Sequence, residues 1–219
     1  MHRQEKPPTF LETTLFLHVQ QAEQKDKNRV TDILSSSFQG NQSVNYIIPQ
    51  DRHRLRRIRA LMEYSFEICR LNGNIWLSDD GSACALALYP DENKGSWRSF
   101  LLNIQFIVRC TGLSMLRKTL SREALIRSIR PRGRICYLWF IGVDPVLQGS
   151  GRGSRLLGEV LKESDRLLRP VYLETSVPEN IGWYEGLGFS VYHVDNTMGY
   201  PLFFLKRVTT EAASLTKTS

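Results

Sequence analysis

One run constrains this chain more than any other feature of its 219 residues: Ile135 to Val143, ICYLWFIGV, apolar from end to end. A nine-residue segment that is hydrophobic on both faces belongs in the middle of a sheet, covered by layers on either side. The residues after it extend the pattern. Asp144–Gly153 is a Gly-rich loop, and Ser154–Leu168 is a helix with Leu156, Leu157, Val160, Leu161, Leu167 and Leu168 on its inner side. Pro170–Ser176 (PVYLETS) is a further strand. The reading is a mixed α/β fold.

The rest of the chain supplies the flanking elements. Leu15–Gln20 alternates as a first strand would, and Asp26 opens a helix to about Phe38 on Val30, Ile33, Leu34 and Phe38. Gln39–Pro49 reads as a loop. Asp51 caps a long helix ending near Gly73, lined on one side by Leu55, Ile58, Met62, Phe66 and Cys69. Asn74–Ser78 and Ser82–Tyr89 form a hairpin around Asp79-Asp80-Gly81. Residues 91–134 form a helical insertion between the third and fourth strands. Its first helix carries the stripe Trp97, Phe100, Leu101, Ile104 and Val108, and its second starts after Gly112, with an interruption at Ser121. Asn180–Leu187 is a short helix stopped at Gly188, and Phe189–Val194 and Tyr200–Val208 close the sheet. With no repeat and no linker-like shift, residues 15–208 read as one domain, between a poorly ordered lead-in (1–14) and a polar tail (209–219).

Composition excludes several classes. A hydrophobic share of 42% with 23% charged residues is neither a disordered nor a collagen-like chain. No run approaches the roughly 20 apolar residues of a membrane span, and the N-terminal residues are too interrupted for a secretory signal. Cys69, Cys84, Cys110 and Cys136 show no CxxC pairing and sit in apolar stretches, so they read as reduced, buried thiols of a cytoplasmic protein. His2, His18, His53 and His193 share no spacing, so no metal site is expected. The charge is concentrated. Residues 109–134 hold eight Lys/Arg and one acid, Glu123, which equals the formal +7 of the whole chain, and residues 52–59 hold five more arginines. Clusters of this kind point to an anionic partner or to a solvated helix face. Nucleic acid is disfavoured, because aromatic interleaving and a recognised motif are missing.

Gln148-Gly149-Ser150-Gly151-Arg152-Gly153 lies between a buried strand and a helix. Small residues there let several backbone N–H groups converge on one anion beside a helix N-terminus. A Walker loop would need Lys-Ser/Thr after its last glycine, and Ser154-Arg155 follow Gly153 instead. A Rossmann fingerprint counted from Gly149 would need glycine at 154. An ordinary tight turn would account for the loop alone.

The loop is one of three matching segments. Q-x-x-G-x-G after a strand ending GVDP, then YLET, then ENIGWYEGLGF, resembles the GNAT superfamily of acyl-CoA-dependent N-acetyltransferases, specifically from Tyr137 to Phe189. The resemblance implies a central, splayed, mostly antiparallel sheet flanked by helices, with acetyl-CoA as cosubstrate. It assigns Ile141, Gly142 and Val143 to the strand end that pairs with pantetheine, with Gly142 as the bulge that opens the splay. Gln148, Gly149, Ser150, Gly151, Arg152, Gly153 and Ser154 match the pyrophosphate loop, Asn180 the side chain reaching the pantetheine arm, and Tyr184 the general acid.

The chemistry asks for the same parts. Acetyl transfer from a thioester to an amine needs both reactants held in line, a donor for the developing oxyanion such as the Val143 N–H, and a proton for the leaving thiolate, which a tyrosine can supply. The amine must also lose a proton. Ile135–Val143 contains no acid, which leaves Glu174 on the next strand as the candidate base, with a structural acceptor or a water chain as alternatives. Direct attack in a ternary complex is expected, since no cysteine stands where a covalent intermediate would form. The rival reading is an acyl-CoA-binding module that is weakly active or inactive. The acceptor is read only as a small-molecule or peptide amine. The insertion would cover the acceptor cleft, form a homodimer interface or thicken the core.

Overall fold

The computed structural model describes residues 19–92 and 95–209. The expected lead-in, the 15–18 part of the first strand and residues 210–219 lie outside the described residues. Among the described residues, seven strands form one sheet in the order β1-β2-β3-β4-β5-β7-β6. They are β1 (Val19–Gln21), β2 (Gly73–Ser78), β3 (Ala83–Leu88), β4 (Cys136–Val143), β5 (Val171–Thr175), β6 (Ser190–Asp195) and β7 (Leu202–Arg207). Only the β4–β5 pair is parallel.

Apolar spacing explains the layers. On one face, α1 (Lys27–Ser37) and α3 (Arg54–Asn72) bury Val30, Ile33, Leu34, Ile58, Met62, Phe66 and Cys69 against Cys84, Leu86 and Phe140. On the other, α6 (Arg152–Arg166) buries Leu156, Leu157, Val160 and Leu161 against Ala85, Leu138, Val171 and Leu173, joined by Tyr184 of α7 (Ile181–Glu185). All four cysteines are buried and unbridged. The insertion between β3 and β4 comprises α4 (Trp97–Phe106), a π-helical segment (Ile107–Thr111) and α5 (Gly112–Ile129). Ile126 of α5 closes a third cluster with Leu202 and Phe204 of β7.

Four expectations are corrected. Part of 39–49 is helical: Asn41 accepts the Val44 N–H at 3.0 Å and starts α2 (Gln42–Ile47), whose Val44 and Ile47 are buried. An N-cap with one apolar turn suffices for a helix this short and leaves little periodicity to read. Leu55, in phase with the buried arc of α3, occupies its first turn and stays exposed, while Ala60 and Leu61 take inner positions. Leu168 turns outward at a positive φ of 52° just past α6. The insertion is unbroken at Ser121 and breaks at Gly112, where φ 64° and ψ 174° leave helical space.

The side opposite the splay is clamped by Arg169, which is 3% exposed. Its guanidinium donates to both oxygens of Asp91 at 2.6 and 3.1 Å, to Glu92 and to the Ile135 carbonyl, and it stacks on Tyr89. The Arg169 hydrogen bond holds the Asp91 carboxyl below its ordinary pKa. A lowered folded-state pKa adds stability that is present above the unfolded value and lost as pH falls through the folded one. Asp91→Asn is therefore expected to cost about 1 kcal/mol near neutral pH, and the difference from the parent should shrink in acid melts below about pH 4.

Candidate active site

β4 and β5 pair only at Cys136↔Val171 and Tyr137↔Tyr172. Beyond those pairs the strands part, while β4 remains bound to β3 as far as Ala83↔Val143. The bulge behind the splay is at Trp139 and not at Gly142. Leu86 opposes Phe140 and Ala87 opposes Leu138, so Trp139 is the extra residue, and Trp139 and Phe140 both pack on the α1–α3 side. Gly142 pairs regularly with Cys84 and serves packing: a Cβ there would stand 3.0 Å from Leu34 Cδ2 and 3.1 Å from Ser37 Oγ. The close approach of α1 needs that glycine.

Strand alternation then orients the free edge. The Asp144 N–H donates to the Ser82 carbonyl at 2.8 Å. Residues an odd number away turn their amides to the other edge, so those of Ile141 and Val143 face the opening that β5 has vacated. Ser37 Oγ donates to the Val143 carbonyl at 2.8 Å, and Gln148 Nε2 reaches the same oxygen at 3.4 Å. Sequence reading missed Ser37. It is the residue of α1 that hydrogen-bonds the end of β4, but nothing in its local pattern marks it.

The loop lies at the mouth of this opening. Gly149 and Gly151 have φ of 76° and 79°, and a Cβ on either would meet nothing within 4 Å. The first helical closure of α6 is Arg155 N–H to the Gly151 carbonyl at 3.1 Å, which leaves the amides of Arg152, Gly153 and Ser154 without intrahelical partners. The glycine backbone and helix start suit a pyrophosphate, with room over the main chain and unpaired donors beside it. The Arg152 side chain is engaged elsewhere, with Asp80 at 3.1 Å and Ser150 Oγ at 2.8 Å. Ser154 Oγ accepts from Trp183 Nε1 at 2.8 Å, and a Cβ on Gly153 would lie 3.4 Å from Val143 Cγ2 and 3.5 Å from Trp183 Cζ2. Trp183 thus ties α7 to the loop and to the strand end.

Asn180 is exposed at the entry to α7, and Tyr184 is buried within it, its ring against Trp183 and Phe189. Burial and, after it, the charge of Glu174 push the Tyr184 hydroxyl well above its ordinary pKa. The hydroxyl is therefore held protonated and is a weaker acid than an exposed tyrosine.

Glu174 belongs to a network that the sequence did not announce. Its side chain is 8% exposed, accepts from the Tyr137 hydroxyl and lies 3.7 Å from Arg122 Nη2 of α5. Arg122 also donates to Ser43 Oγ of α2 at 2.9 and 2.7 Å and to Glu123 at 2.8 Å, and the Tyr200 hydroxyl reaches Ser43 Oγ at 3.3 Å. Burial raises the Glu174 pKa against the opposing pull of Arg122 and Tyr137. Helix α5 thus supplies one wall of the splay beside β5. Three arginines of α3 are partnered away from it: Arg54 with Asn45, Arg57 with Asp51, Arg59 with Asp32 and Glu63. Among the described residues, no group of three or more His, Cys, Asp or Glu could hold a metal ion.

Residues 107–189 match the Acetyltransferase (GNAT) family. Among solved structures, the fold is similar to histone acetyltransferase HPA2 and related acetyltransferase from Corynebacterium glutamicum, at TM-score 0.66 and 20% identity over 89% of this chain and 97% of that one. It is also similar to arylalkylamine N-acetyltransferase 2 from Aedes aegypti, at TM-score 0.57 and 15% identity over 88% and 99%. A third likeness is to the ribosomal-protein-S18-alanine N-acetyltransferase from Escherichia coli, at TM-score 0.50 and 14% identity over 88% and 94%. The segment that carries the loop thus matches the acetyltransferase (GNAT) family, and it is set in a splayed seven-stranded sheet whose fold is that of solved GNAT acetyltransferases.

Proposed function

We propose that this protein is an N-acetyltransferase that moves an acetyl group from acetyl-CoA to a small-molecule or peptide amine by direct attack in a ternary complex. The observation that carries the reading is the pair of outward amides, Ile141 and Val143, on a strand edge that ends at a glycine loop and a helix N-terminus.

Acetyl-CoA supplies an activated acyl group as a thioester. The amides of Gly149 through Ser154 bind its pyrophosphate, the β4 edge pairs with the pantetheine arm, and Asn180 reaches that arm from the other side. The Val143 N–H donates to the carbonyl oxygen as negative charge grows there. Tyr184 gives its proton to the departing sulfur as the C–S bond breaks and the C–N bond forms. Glu174 takes the proton from the amine. Its raised pKa makes it a better base than an exposed carboxylate, and the Tyr137 hydroxyl and Arg122 fix its orientation.

Titrating purified protein with acetyl-CoA, then with an amine panel, tests this reading through free-thiol release. Amine-dependent thiol release supports it. A melting temperature raised by CoA without turnover of any amine would replace it with the binding module. Tyr184→Phe is expected to lower kcat about 100-fold with little change in the KM for acetyl-CoA. Unchanged thiol release would remove Tyr184 from the acid role. For Glu174, activity that needs the ionised carboxylate rises with pH on a limb above the ordinary carboxylate range, and Glu174→Gln should abolish that limb along with about 100-fold of kcat/KM.

A further inference from the structure

The five apolar residues expected to bury the insertion remain in solvent: Trp97 is 72% exposed, Phe100 52%, Leu101 42%, Ile104 44% and Val108 70%. Leu113 and Leu120 of α5 are exposed as well. The inner side of α4 is already occupied, with Phe106 stacked on Tyr64 at 4.6 Å and Asn103 accepting from the Tyr64 hydroxyl at 2.7 Å. The stripe is therefore a second, outward apolar face on a helix that is already packed.

Its charge surroundings select a partner. Residues 95–122 contain no Asp or Glu, and Arg98, Arg109 and Arg117 of the same stretch are exposed. Nearby acids do not reverse the sign. Glu67 is shared among Lys27, Arg70 and Arg98, and Glu63 is shared between Arg59 and Arg109. A two-fold dimer through this face would set like charges against each other, since each copy presents the same patch. An aromatic and aliphatic stripe with cations and no acids suits a bilayer bearing anionic headgroups.

The geometry decides between lying on a bilayer and crossing it. The helical stretch 97–129 is long and apolar enough, by length and composition alone, to cross. Gly112 breaks the stretch, so the straight part, 97–111, spans roughly 22 Å against a hydrocarbon core of about 30 Å. The sequence reading expects no membrane partner because the chain has no unbroken apolar run of spanning length, and a helix stripe needs none.

We propose that the outward face of α4, with the first turns of α5, docks this protein onto an anionic phospholipid surface, the helix lying in the interface without crossing it. The site is separate from the splay and stands whether or not the chain acetylates amines. Co-sedimentation with vesicles tests it. Vesicles of phosphatidylcholine with about one third phosphatidylglycerol should bind at least about tenfold more protein than pure phosphatidylcholine, and added salt should weaken that binding. The double variant Trp97→Ser/Phe100→Ser should lose at least about tenfold of the vesicle binding while keeping its melting temperature, because both side chains are exposed. Failure to bind anionic vesicles, or equal binding by the double variant, would overturn the proposal. So would a stable dimer in sedimentation that the double variant turns into a monomer.

Discussion

Gly151→Val is expected to lower acetyl-CoA affinity at least about 100-fold while leaving a folded protein. Position 151 sits at φ 79° and its missing Cβ would meet nothing within 4 Å, so the protein itself has room for a side chain. Two effects remain. A β-branched residue in the left-handed region costs roughly 1–2 kcal/mol of strain or moves the loop out of that region. Its methyl groups also fill the space over the amides of Arg152, Gly153 and Ser154, where the pyrophosphate needs bare main chain. Calorimetry with CoA reads the loss directly, and unchanged affinity would remove the loop from the binding site. Gly158→Ala is the matched control. Gly158 lies within α6, a Cβ there also meets nothing within 4 Å, and the change should add about 0.5–1 kcal/mol of stability with CoA affinity intact.

The largest stability effect is expected from Arg122→Met. The parent places a guanidinium, 10% exposed, among Glu174, Glu123, Ser43 and Tyr137. Methionine fills much of the same volume, so packing changes little. What remains is the Glu174 carboxylate without its cation, in a site where burial already raises its pKa. Breaking such a pair costs about 3–5 kcal/mol, which for a chain of this size is a melting-temperature drop of roughly 10 °C. The double variant Arg122→Met/Glu174→Gln should regain most of that loss, because neither charge is then left alone. Equal melting temperatures for the single and double variants would show that Arg122 acts through packing instead. The pair also bears on activity. If Arg122 orients Glu174, Arg122→Met should lower kcat/KM and move the low-pH limb upward, as the carboxyl pKa rises without the guanidinium.

The site was legible in proportion to how local its signals are. The loop, the strand before it and the helix after it are contiguous, so residues 141–154 could be read in order and found as a unit. Asn180 and Tyr184 came from the motif around them, and the structure adds that one is at the surface and the other is buried. The bulge is expected at Gly142 and lies at Trp139 for a physical reason. Glycine inside a strand signals either irregular pairing or close approach by another element, and only α1, with Leu34 and Ser37 against that position, shows that approach is the cause. Glu174 was found by elimination along the chain. Its partners Arg122, Ser43 and Tyr200 come from three distant segments, and no spacing rule links them.

The insertion shows the same division. Its helical character followed from apolar spacing. Its environment did not, because an i, i+3, i+4, i+7 stripe records that one side of a helix is apolar and says nothing about what stands opposite. The tertiary structure turned Phe106 and Asn103 inward to Tyr64 and left Trp97, Phe100, Leu101, Ile104 and Val108 outside.

The positive charge that stood out in the composition also divides in this way. The arginines of 52–59 and 109–134 were countable in the sequence. Tertiary contacts decided that Arg57 and Arg59 meet Asp51, Asp32 and Glu63, that Arg122 is buried against Glu174, and that Arg98 and Arg109 border an apolar face. The sequence by itself determined the order of the strands, of the helices other than α2, and the glycine turn before α6, since backbone propensity, apolar period and glycine placement all act between near neighbours. Only the tertiary structure decided the splay, the partners of Glu174 and the exposed stripe, since each depends on which surfaces meet when segments far apart in the chain are packed together.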